Sequence, residues 1–561
     1  MPVFGMQHVP LMTALPPDLA ELSMLSGARR KAAEYYAPLL DSDDDVLKVG
    51  AWCALLDREE VSVEQYPRVL ELASHGAIQR RAFRFFQANW EHDLAAAVAS
   101  KVATTPGAAR ALAWRAELAY DDQGAVEAQR YRFLATGRLD ALLAMVMQGE
   151  KAAGWRSALP LAVKVFILSP HDPLAANLVL QLLHSAREGQ MLRAVLELLA
   201  ENSLHPYLVL AYSAGLKLMT GDPKGCIRDL EQLDGMRPPR PDVLARIRPL
   251  ALQLNAEAIE ATGDYRRAYD AFVAANALEH GKRVNPDDFG TVILAAAARS
   301  VPALPPDARN NHFVMTGFPR SGTTLLENAL AAHPRIETFE EIPSNASMEQ
   351  YLQTTLPSAC SDADRAQVYL KARERYYDEV IRRAHKLGAQ IFVDKLPMRS
   401  AEAVFMAKLF PDKRYIFSIR HPFDVVLSCF KQHFSRNIAM EHFRTFEGAV
   451  KLYDFTMQQW FGVHGMDDPR VRYVRYDTLV TDFEPTVRAA LEFLGAAWDD
   501  KVRDFAAAAE TRSARTPSYQ KVRQGLGIGV QTAWRNYGFL FQSDAAKPLH
   551  AWARFFGYPT E

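Results

Sequence analysis

Apolar residues recur at helical spacing through the first half of the chain. From Ser42 to Val301, alanine and leucine dominate, runs of β-branched residues are scarce, and short turns separate the periodic stretches. Apolar positions three and four residues apart lie on one face of a helix. We therefore expect an all-helical domain over residues 42–300.

One window in this region has the pattern of a helical repeat. The tripeptide Gly263–Tyr265 is followed by Ala268 and Phe272, and weaker copies begin at Gly189 and Gly221. Small residues let paired antiparallel helices approach closely, while aromatic rings fill the groove against the next pair. The pattern favours a tetratricopeptide-like solenoid, with a generic helical bundle as the alternative.

The pattern changes after a proline-rich segment. Residues 301–311 contain Pro302, Pro305 and Pro306, which stop a helix and cannot enter a central strand, so we expect a linker. Beyond it, short apolar runs alternate with helical stretches, which is typical of a parallel α/β sheet. The predicted strands are His312–Thr316, Ile391–Val393, Tyr415–Ile419 and Val471–Val474, and the predicted first helix is Thr323–Ala332.

Length supports this division, since 561 residues exceed what a single core usually holds. The predicted organisation has four parts: an N-terminal extension (1–41), the helical domain (42–300), the linker (301–311) and an α/β domain (312–561).

Charge and cysteine usage narrow the function classes. The 65 lysine and arginine residues balance 66 acidic ones, so no broad positive field would gather nucleic acid or an anionic membrane. Any anion site must therefore be local. The four cysteines are far apart, with no C-x-x-C pair and no neighbouring histidine cluster. We expect a reducing compartment and no metal site.

The first residues do not resemble a secretory signal, because prolines interrupt them before the first basic residues, Arg29 and Arg30. No later segment has the twenty or so uncharged apolar residues that a membrane helix needs. We expect a soluble, cytoplasmic protein without a membrane partner.

A glycine loop follows the first predicted strand. Residues Gly317–Thr324 have the spacing of a P-loop, and backbone amides at the start of the next helix attract anions. Thr323 stands where a nucleotide triphosphatase carries its lysine, and no strand obviously supplies a magnesium ligand. The loop therefore indicates a shorter, metal-free anion.

A second anion site is predicted after the third strand. Arg420 ends that strand, Pro422 begins a helix, and Ser428 lies two turns into it. Ligands of open α/β sheets bind at the carboxyl ends of strands, where Arg420 would lie.

These motifs resemble those of sulfotransferases, especially the tyrosylprotein and tetratricopeptide-linked members. The resemblance rests on Pro319–Leu325 and on Ala332-His333-Pro334, and it extends over His312 to Tyr558. It implies 3′-phosphoadenosine 5′-phosphosulfate as the donor, adenosine 3′,5′-bisphosphate as the product, and no required metal. The implied donor-binding residues are Pro319, Arg320, Ser321, Gly322, Thr323 and Thr324 for the 5′-phosphosulfate, Arg420 and Ser428 for the 3′-phosphate, and Tyr476, Ser518 and Arg535 around the nucleotide.

The same resemblance implies three catalytic residues. Glu341 would accept the proton of the acceptor hydroxyl, Lys395 would stabilise the bridging oxygen, and Arg320 would neutralise the sulfuryl and phosphate oxygens. The choice between Glu341 and Glu340 stays open. A histidine base is a minority alternative, with His333, His421 and His433 as the candidates.

The leading interpretation is a sulfotransferase whose helical domain holds an acceptor or partner. The acceptor hydroxyl belongs to a peptide tyrosine, a sugar or a small molecule, and a homodimer is possible through a solenoid edge or residues 351–387. One alternative is a P-loop kinase or nucleotide hydrolase with an altered loop. The other is a non-catalytic repeat scaffold with a nucleotide-binding domain.

Overall fold

The computed structural model divides into two units, one ending at Ala258 and the other spanning Ile259–Glu561. The structure describes residues 32–88, 92–99, 122–237, 240–278, 285–307, 309–342, 344–356, 361–381, 383–384, 386–434, 437–505 and 532–561.

The first unit is helical throughout its described residues, as predicted. Helix starts carry capping side chains: Asp44 Oδ1 accepts hydrogen bonds from the amides of Val46 and Leu47 at 2.9 and 3.1 Å. Two 3₁₀ turns, Ala37–Leu39 and Val63–Gln65, accompany the helices. The helices are α1 (Ala32–Tyr36), α2 (Asp45–Asp57), α3 (Tyr66–Leu72), α4 (Gly76–Ala88), α5 (His92–Ala99), α6 (Asp122–Thr136), α7 (Leu139–Leu168), α8 (Pro173–Ser185), α9 (Gly189–Glu201), α10 (Pro206–Met219), α11 (Pro223–Asp234) and α12 (Pro241–Ala261), which continues into the second unit.

Short turns join successive helices in the later part of this unit. Gly221 has a φ of 82° between α10 and α11, a left-handed conformation that glycine adopts without steric cost. Ala175 on α8 and Ala211 on α10 are fully buried, as expected where helices approach closely. The assignment to tetratricopeptide repeats stays a prediction.

The second unit is built on a five-stranded parallel sheet. Its strand order is β2-β3-β1-β4-β5, so β1 lies between β3 and β4, and helices connect the parallel strands. The strands are β1 (His312–Thr316), β2 (Ile336–Glu340), β3 (Ile391–Lys395), β4 (Arg414–Ile419) and β5 (Val471–Arg475). The helices are α13 (Tyr265–Asn276), α14 (Asp287–Ala297), α15 (Thr323–Ala332), α16 (Ala346–Thr355), α17 (Asp362–Ile381), α18 (Ala403–Leu409), α19 (Pro422–Phe430), α20 (Phe446–Phe461), α21 (Tyr476–Thr481), α22 (Phe483–Leu494), α23 (Gly538–Phe541) and α24 (Lys547–Phe555), with 3₁₀ turns at Pro397–Glu402, Met440–Arg444, Asp500–Asp504, Ala533–Tyr537 and Asp544–Ala546.

The predicted parallel α/β architecture is confirmed, and β1 and α15 have the predicted bounds. Every residue of β1 is buried, which explains why a continuous apolar run marks this central strand. The sequence-based prediction lacks β2, where Ile336 and Phe339 are buried but Glu337 and Glu340 interrupt the apolar pattern.

Two helices before the predicted linker lie in the second unit. Tyr269 and Phe272 of α13 pack against Phe430, with ring centroids 5.3 and 6.4 Å apart. Asn276 Nδ2 also donates a hydrogen bond to the Phe430 carbonyl at 2.8 Å. The division after Ala258 therefore comes before the proline-rich segment.

Parallel strands place all their carboxyl ends at one edge of the sheet. Register pairs Glu340 with Lys395 across β2 and β3, and Ile419 with Arg475 across β4 and β5. The candidate residues that follow these strands consequently lie along one edge. None of the helices in the described parts of the chain combines the length and the apolar character of a membrane-spanning segment.

Candidate active site

The glycine loop leaves β1 at Gly317 and ends at Gly322, where α15 begins. A Cβ atom at Gly317 would lie 2.7 Å from the Ser418 carbonyl oxygen, and one at Gly322 would lie 2.5 Å from a ring carbon of Tyr476. Gly322 also has a φ of 98°. Both positions therefore require glycine, and the loop presents the amino end of a ten-residue helix.

Arg320 and Ser428 meet beside this loop. Arg320 Nε donates a hydrogen bond to Ser428 Oγ at 3.0 Å, which joins the loop to α19. Arg320 itself has a φ of 70°, an uncommon backbone conformation for a side chain of this size. The sequence-predicted residues Arg320 and Ser428 are thus brought together.

Arg420 lies next to the same pair. Its Nη1 donates to the Arg320 carbonyl at 3.2 Å, and its guanidinium carbon lies 4.6 Å from the centre of the Tyr476 ring. Burial lowers the pKa of Arg320, and the nearby Arg420 charge lowers it further. Two guanidinium groups this close favour a bound anion that compensates their charges.

Two buried polar atoms at this edge have no hydrogen-bond partner among the described residues. They are Arg420 Nε and Ser418 Oγ. A cavity under the loop is lined by Ser321, Ser418, Arg420 and the aromatic rings of Phe318, Phe417, Tyr453 and Phe556. Unsatisfied donors beside a cavity fit an anionic ligand that completes their hydrogen bonds.

Lys395 lies at the same carboxyl edge of the sheet, at the end of β3. Its side chain is fully buried at the end of β3, and Nζ lies 3.2 Å from Glu327 Oε2, 3.1 Å from Glu341 Oε1 and 3.6 Å from Glu340 Oε1. Burial opposes its charge, yet these carboxylates raise its pKa above the usual range. Lys395 is therefore held as a cation.

Glu341 and Glu340 differ in exposure. The Glu341 side chain is 35% exposed, against 10% for Glu340. Glu341 has a φ of 48°, and its amide donates to the Lys395 carbonyl at 2.8 Å, just beyond the end of β2. The left-handed turn therefore aims Glu341 toward the open edge while Glu340 stays within the strand.

The three histidines considered as alternative bases differ from Glu341 in their contacts. His333 Nε2 bonds to the Ala497 carbonyl at 2.9 Å, and His421 Nε2 bonds to the Pro559 carbonyl at 2.8 Å. His433 is exposed. Glu341 Oε1, by contrast, lies 3.1 Å from Lys395 Nζ.

The structure describes one of the two late donor-site candidates, Arg535. Arg535 lies over the Trp534 ring at 5.4 Å, and its Nη2 is 3.5 Å from the Glu561 carbonyl. Ser518 lies outside the described residues.

Glu327 is a member of the site that sequence reasoning missed. Its side chain is 1% exposed, and its Oε1 accepts a hydrogen bond from Thr338 Oγ1 at 3.1 Å while Oε2 faces Lys395. The sequence does carry one indication of this role, because Glu327 is a carboxylate within the largely apolar stretch Leu325–Leu330 of a predicted helix. A buried carboxylate on such a face requires a buried partner.

Within the described ranges, no group of three or more His, Cys, Asp or Glu side chains is arranged to hold a metal ion.

Parts of this chain are similar to known proteins. Residues 313–500 match the model of the sulfotransferase family. An uncharacterised protein of Aquifex aeolicus is 26% identical over 235 residues, which cover 39% of this chain and 30% of that protein. Protein-tyrosine sulfotransferase 2 of Gallus gallus is 27% identical over 199 residues, which cover 33% of this chain and 51% of that protein.

The chain thus spans about half the length of the tyrosine sulfotransferase that it matches. Among solved structures, the sulfotransferase domain of the Synechococcus PCC 7002 olefin synthase is similar at 18% identity and a TM-score of 0.33, covering 47% of this chain and 97% of that one. Residues 313–500 of the second unit are therefore similar to the sulfotransferase family.

Proposed function

We propose that the second unit transfers the sulfuryl group of 3′-phosphoadenosine 5′-phosphosulfate to an acceptor hydroxyl. The observation that carries the proposal is the arrangement of two guanidinium groups, Arg320 and Arg420, beside a glycine loop, with Lys395 and Glu341 at neighbouring strand ends. An anion-binding half and an acid–base half therefore share one edge of the sheet.

The donor's two phosphate ends match two sets of residues. The loop amides, Arg320 and the hydroxyls of Ser321, Thr323 and Thr324 would hold the 5′-phosphosulfate, as anions bind at helix N-termini. Pro319 and Gly322 shape that loop. Arg420 and Ser428 would hold the 3′-phosphate, which would give the buried Arg420 Nε its partner.

When bound, the donor supplies a sulfuryl group that leaves its 5′-phosphate oxygen and joins the acceptor oxygen. Glu341 would take the proton of the acceptor hydroxyl, because it is the more exposed of the two carboxylates at Lys395. Lys395 and Arg320 would stabilise negative charge on the departing phosphate, since both remain cationic at neutral pH.

We extend the proposal to the helical first unit, which would hold the acceptor or a partner protein. Protein-tyrosine sulfotransferases are among the proteins that this chain resembles, which favours a peptide tyrosine over a sugar or small molecule. The roles of Tyr476 and Arg535 at the nucleotide, the homodimer and the cytoplasmic location stay predictions.

Calorimetric binding of adenosine 3′,5′-bisphosphate in EDTA tests the donor site. We expect micromolar binding by the wild type and a loss of at least about tenfold for Arg420→Ala, because charged hydrogen bonds contribute about 1.5–3 kcal/mol. The matched control is Arg414→Ala at the opposite end of β4, where Arg414 lies over the Phe493 ring. Its binding should equal that of the wild type.

Absence of binding by the wild type would contradict the proposal. So would tighter binding of ATP in the presence of magnesium, which would instead favour a kinase or nucleotide hydrolase.

A further inference from the structure

A short segment near the end of the described chain contacts the neighbours of two residues of the proposed donor site, Arg420 and Tyr476. This segment, Phe556–Pro559, follows α24 and contacts His421, two residues after β4, and Arg475 and Asp477, at the end of β5 and two residues beyond it. Those two strand ends carry Arg420 and Tyr476.

The first set of contacts fixes the end of β5. Arg475 Nη1 donates to the Phe556 carbonyl at 2.7 Å, and the Arg475 guanidinium lies 4.1 Å from the centre of the Tyr558 ring. Tyr558 donates its hydroxyl hydrogen to Asp477 Oδ1 at 2.7 Å. The residues on either side of Tyr476 are therefore both held by the segment.

The second set of contacts fixes the start of α19. His421, the neighbour of Arg420, caps this helix: its Nδ1 accepts from the Phe423 amide at 3.2 Å. Since the Pro559 carbonyl can only accept, His421 Nε2 carries a hydrogen and donates it at 2.8 Å. The imidazole is thus neutral, and burial lowers its pKa to about 4.

The segment also reaches the cavity itself. The Phe556 ring lines the cavity under the glycine loop, together with Ser321 and Arg420. The Tyr558 and His421 rings lie 5.0 Å apart between centroids, so the two sets of contacts are continuous.

We propose that Phe556–Pro559 is a strap whose hydrogen bonds through Tyr558 and His421 position Tyr476 and Arg420 for nucleotide binding. The inference rests on the donor site proposed above. Tyr558 and His421 act as positioning residues, because they reach the nucleotide only through their neighbours. The reason for two anchors is geometric: Tyr476 and Arg420 follow different strands, and the ring-to-guanidinium distance of 4.6 Å depends on both.

Tyr558→Phe tests the first anchor, since it removes one hydroxyl and keeps the ring. We expect the Kd for adenosine 3′,5′-bisphosphate to rise by about three- to tenfold, the range for loss of a single hydrogen bond. The double variant Tyr558→Phe/Asp477→Ala should lose no more than Asp477→Ala alone, because alanine has no acceptor and the same bond is already gone.

Tyr377→Phe is the matched control. Tyr377 likewise donates to a carboxylate, Asp307, in the same unit, but it packs on His312 at the opposite edge of the sheet. We expect this variant to lower the melting temperature and leave the Kd unchanged.

His421 allows the cap and the strap to be separated. Asparagine places its oxygen near the position of Nδ1 and preserves the cap, whereas glutamine places its nitrogen near Nε2 and preserves the bond to Pro559. The strap predicts that His421→Gln retains binding better than His421→Asn. A helix cap alone predicts the reverse order.

The outcomes are distinguishable. If the wild type binds adenosine 3′,5′-bisphosphate and Arg420→Ala does not, but Tyr558→Phe binds like the wild type, the strap is wrong and the donor site stands. The strap is also wrong if Tyr377→Phe weakens binding as much as Tyr558→Phe does. If the wild type does not bind, both proposals fail.

Discussion

Replacing Lys395 with methionine removes a fully buried ammonium group that faces three carboxylates. At the observed 3.2 Å from Glu327 and an effective dielectric constant of about 20, the attraction of that one pair is about 5 kcal/mol. Breaking a buried pair typically costs about 3–5 kcal/mol, because the remaining charge is left without a partner.

We therefore expect Lys395→Met to lower the free energy of unfolding of the second unit by about 3 kcal/mol at neutral pH. Adding Glu327→Gln should restore part of the loss, since the uncompensated carboxylate is gone and the amide can still accept from Thr338. Urea unfolding followed by hydrogen exchange of peptides from α15 and β3 reports on this unit.

The control is Lys431→Met, which breaks an ion pair with Glu260. Those side chains are 22% and 23% exposed, so the expected loss is about 1 kcal/mol or less. The reasoning is refuted if Lys395→Met costs no more than Lys431→Met, or if the double variant is no more stable than Lys395→Met.

Three further predictions concern the loop, the base and a buried lysine. Gly322→Ala should weaken binding of adenosine 3′,5′-bisphosphate at least about tenfold in calorimetry, because the added Cβ would meet the Tyr476 ring. The control is Gly495→Ala: Gly495 also has a positive φ, 80°, but no atom lies near its Cβ position. This variant should lose about 1 kcal/mol of stability and leave binding unchanged. Glu341→Gln should lower label transfer from the ³⁵S donor to tyrosine peptides by about 10²-fold or more, while nucleotide binding persists. If only Glu340→Gln shows this loss, Glu340 is the base instead. Burial lowers the pKa of Lys413 from 10.5 to about 8, so between these pH values the unfolded chain binds more protons than the folded one, and the stability of the wild type should rise with pH. Chemical denaturation of Lys413→Met should show no such rise. Equal dependence of stability on pH in the wild type and the variant would contradict this prediction.

The fold was predictable where local pattern and burial coincide. β1 is a run of five buried residues between a proline-rich segment and a glycine loop, so both of its bounds could be predicted. β2 could not, because Glu337 and Glu340 lie in it and their buried oxygens depend on distant residues. The Lys386 amide donates to Glu337 at 3.2 Å, and Lys395 lies near Glu340.

The site was predictable as motifs but not as a network. Spacing and resemblance indicated Arg320, Arg420 and Ser428 separately, and only the parallel sheet shows that they lie together. Glu327 was missed because a carboxylate on a helix usually faces solvent; its partner, Lys395, comes from another strand.

In the proposed function, the glycine loop and the ends of β4 and β5 form a single donor site. A crystal structure with adenosine 3′,5′-bisphosphate would show where both phosphates bind. We expect the 5′-phosphate at the amides of Gly322 and Thr323, and the 3′-phosphate at Arg420 and Ser428. Nucleotide bound elsewhere, or no bound nucleotide at saturating concentration, would contradict it.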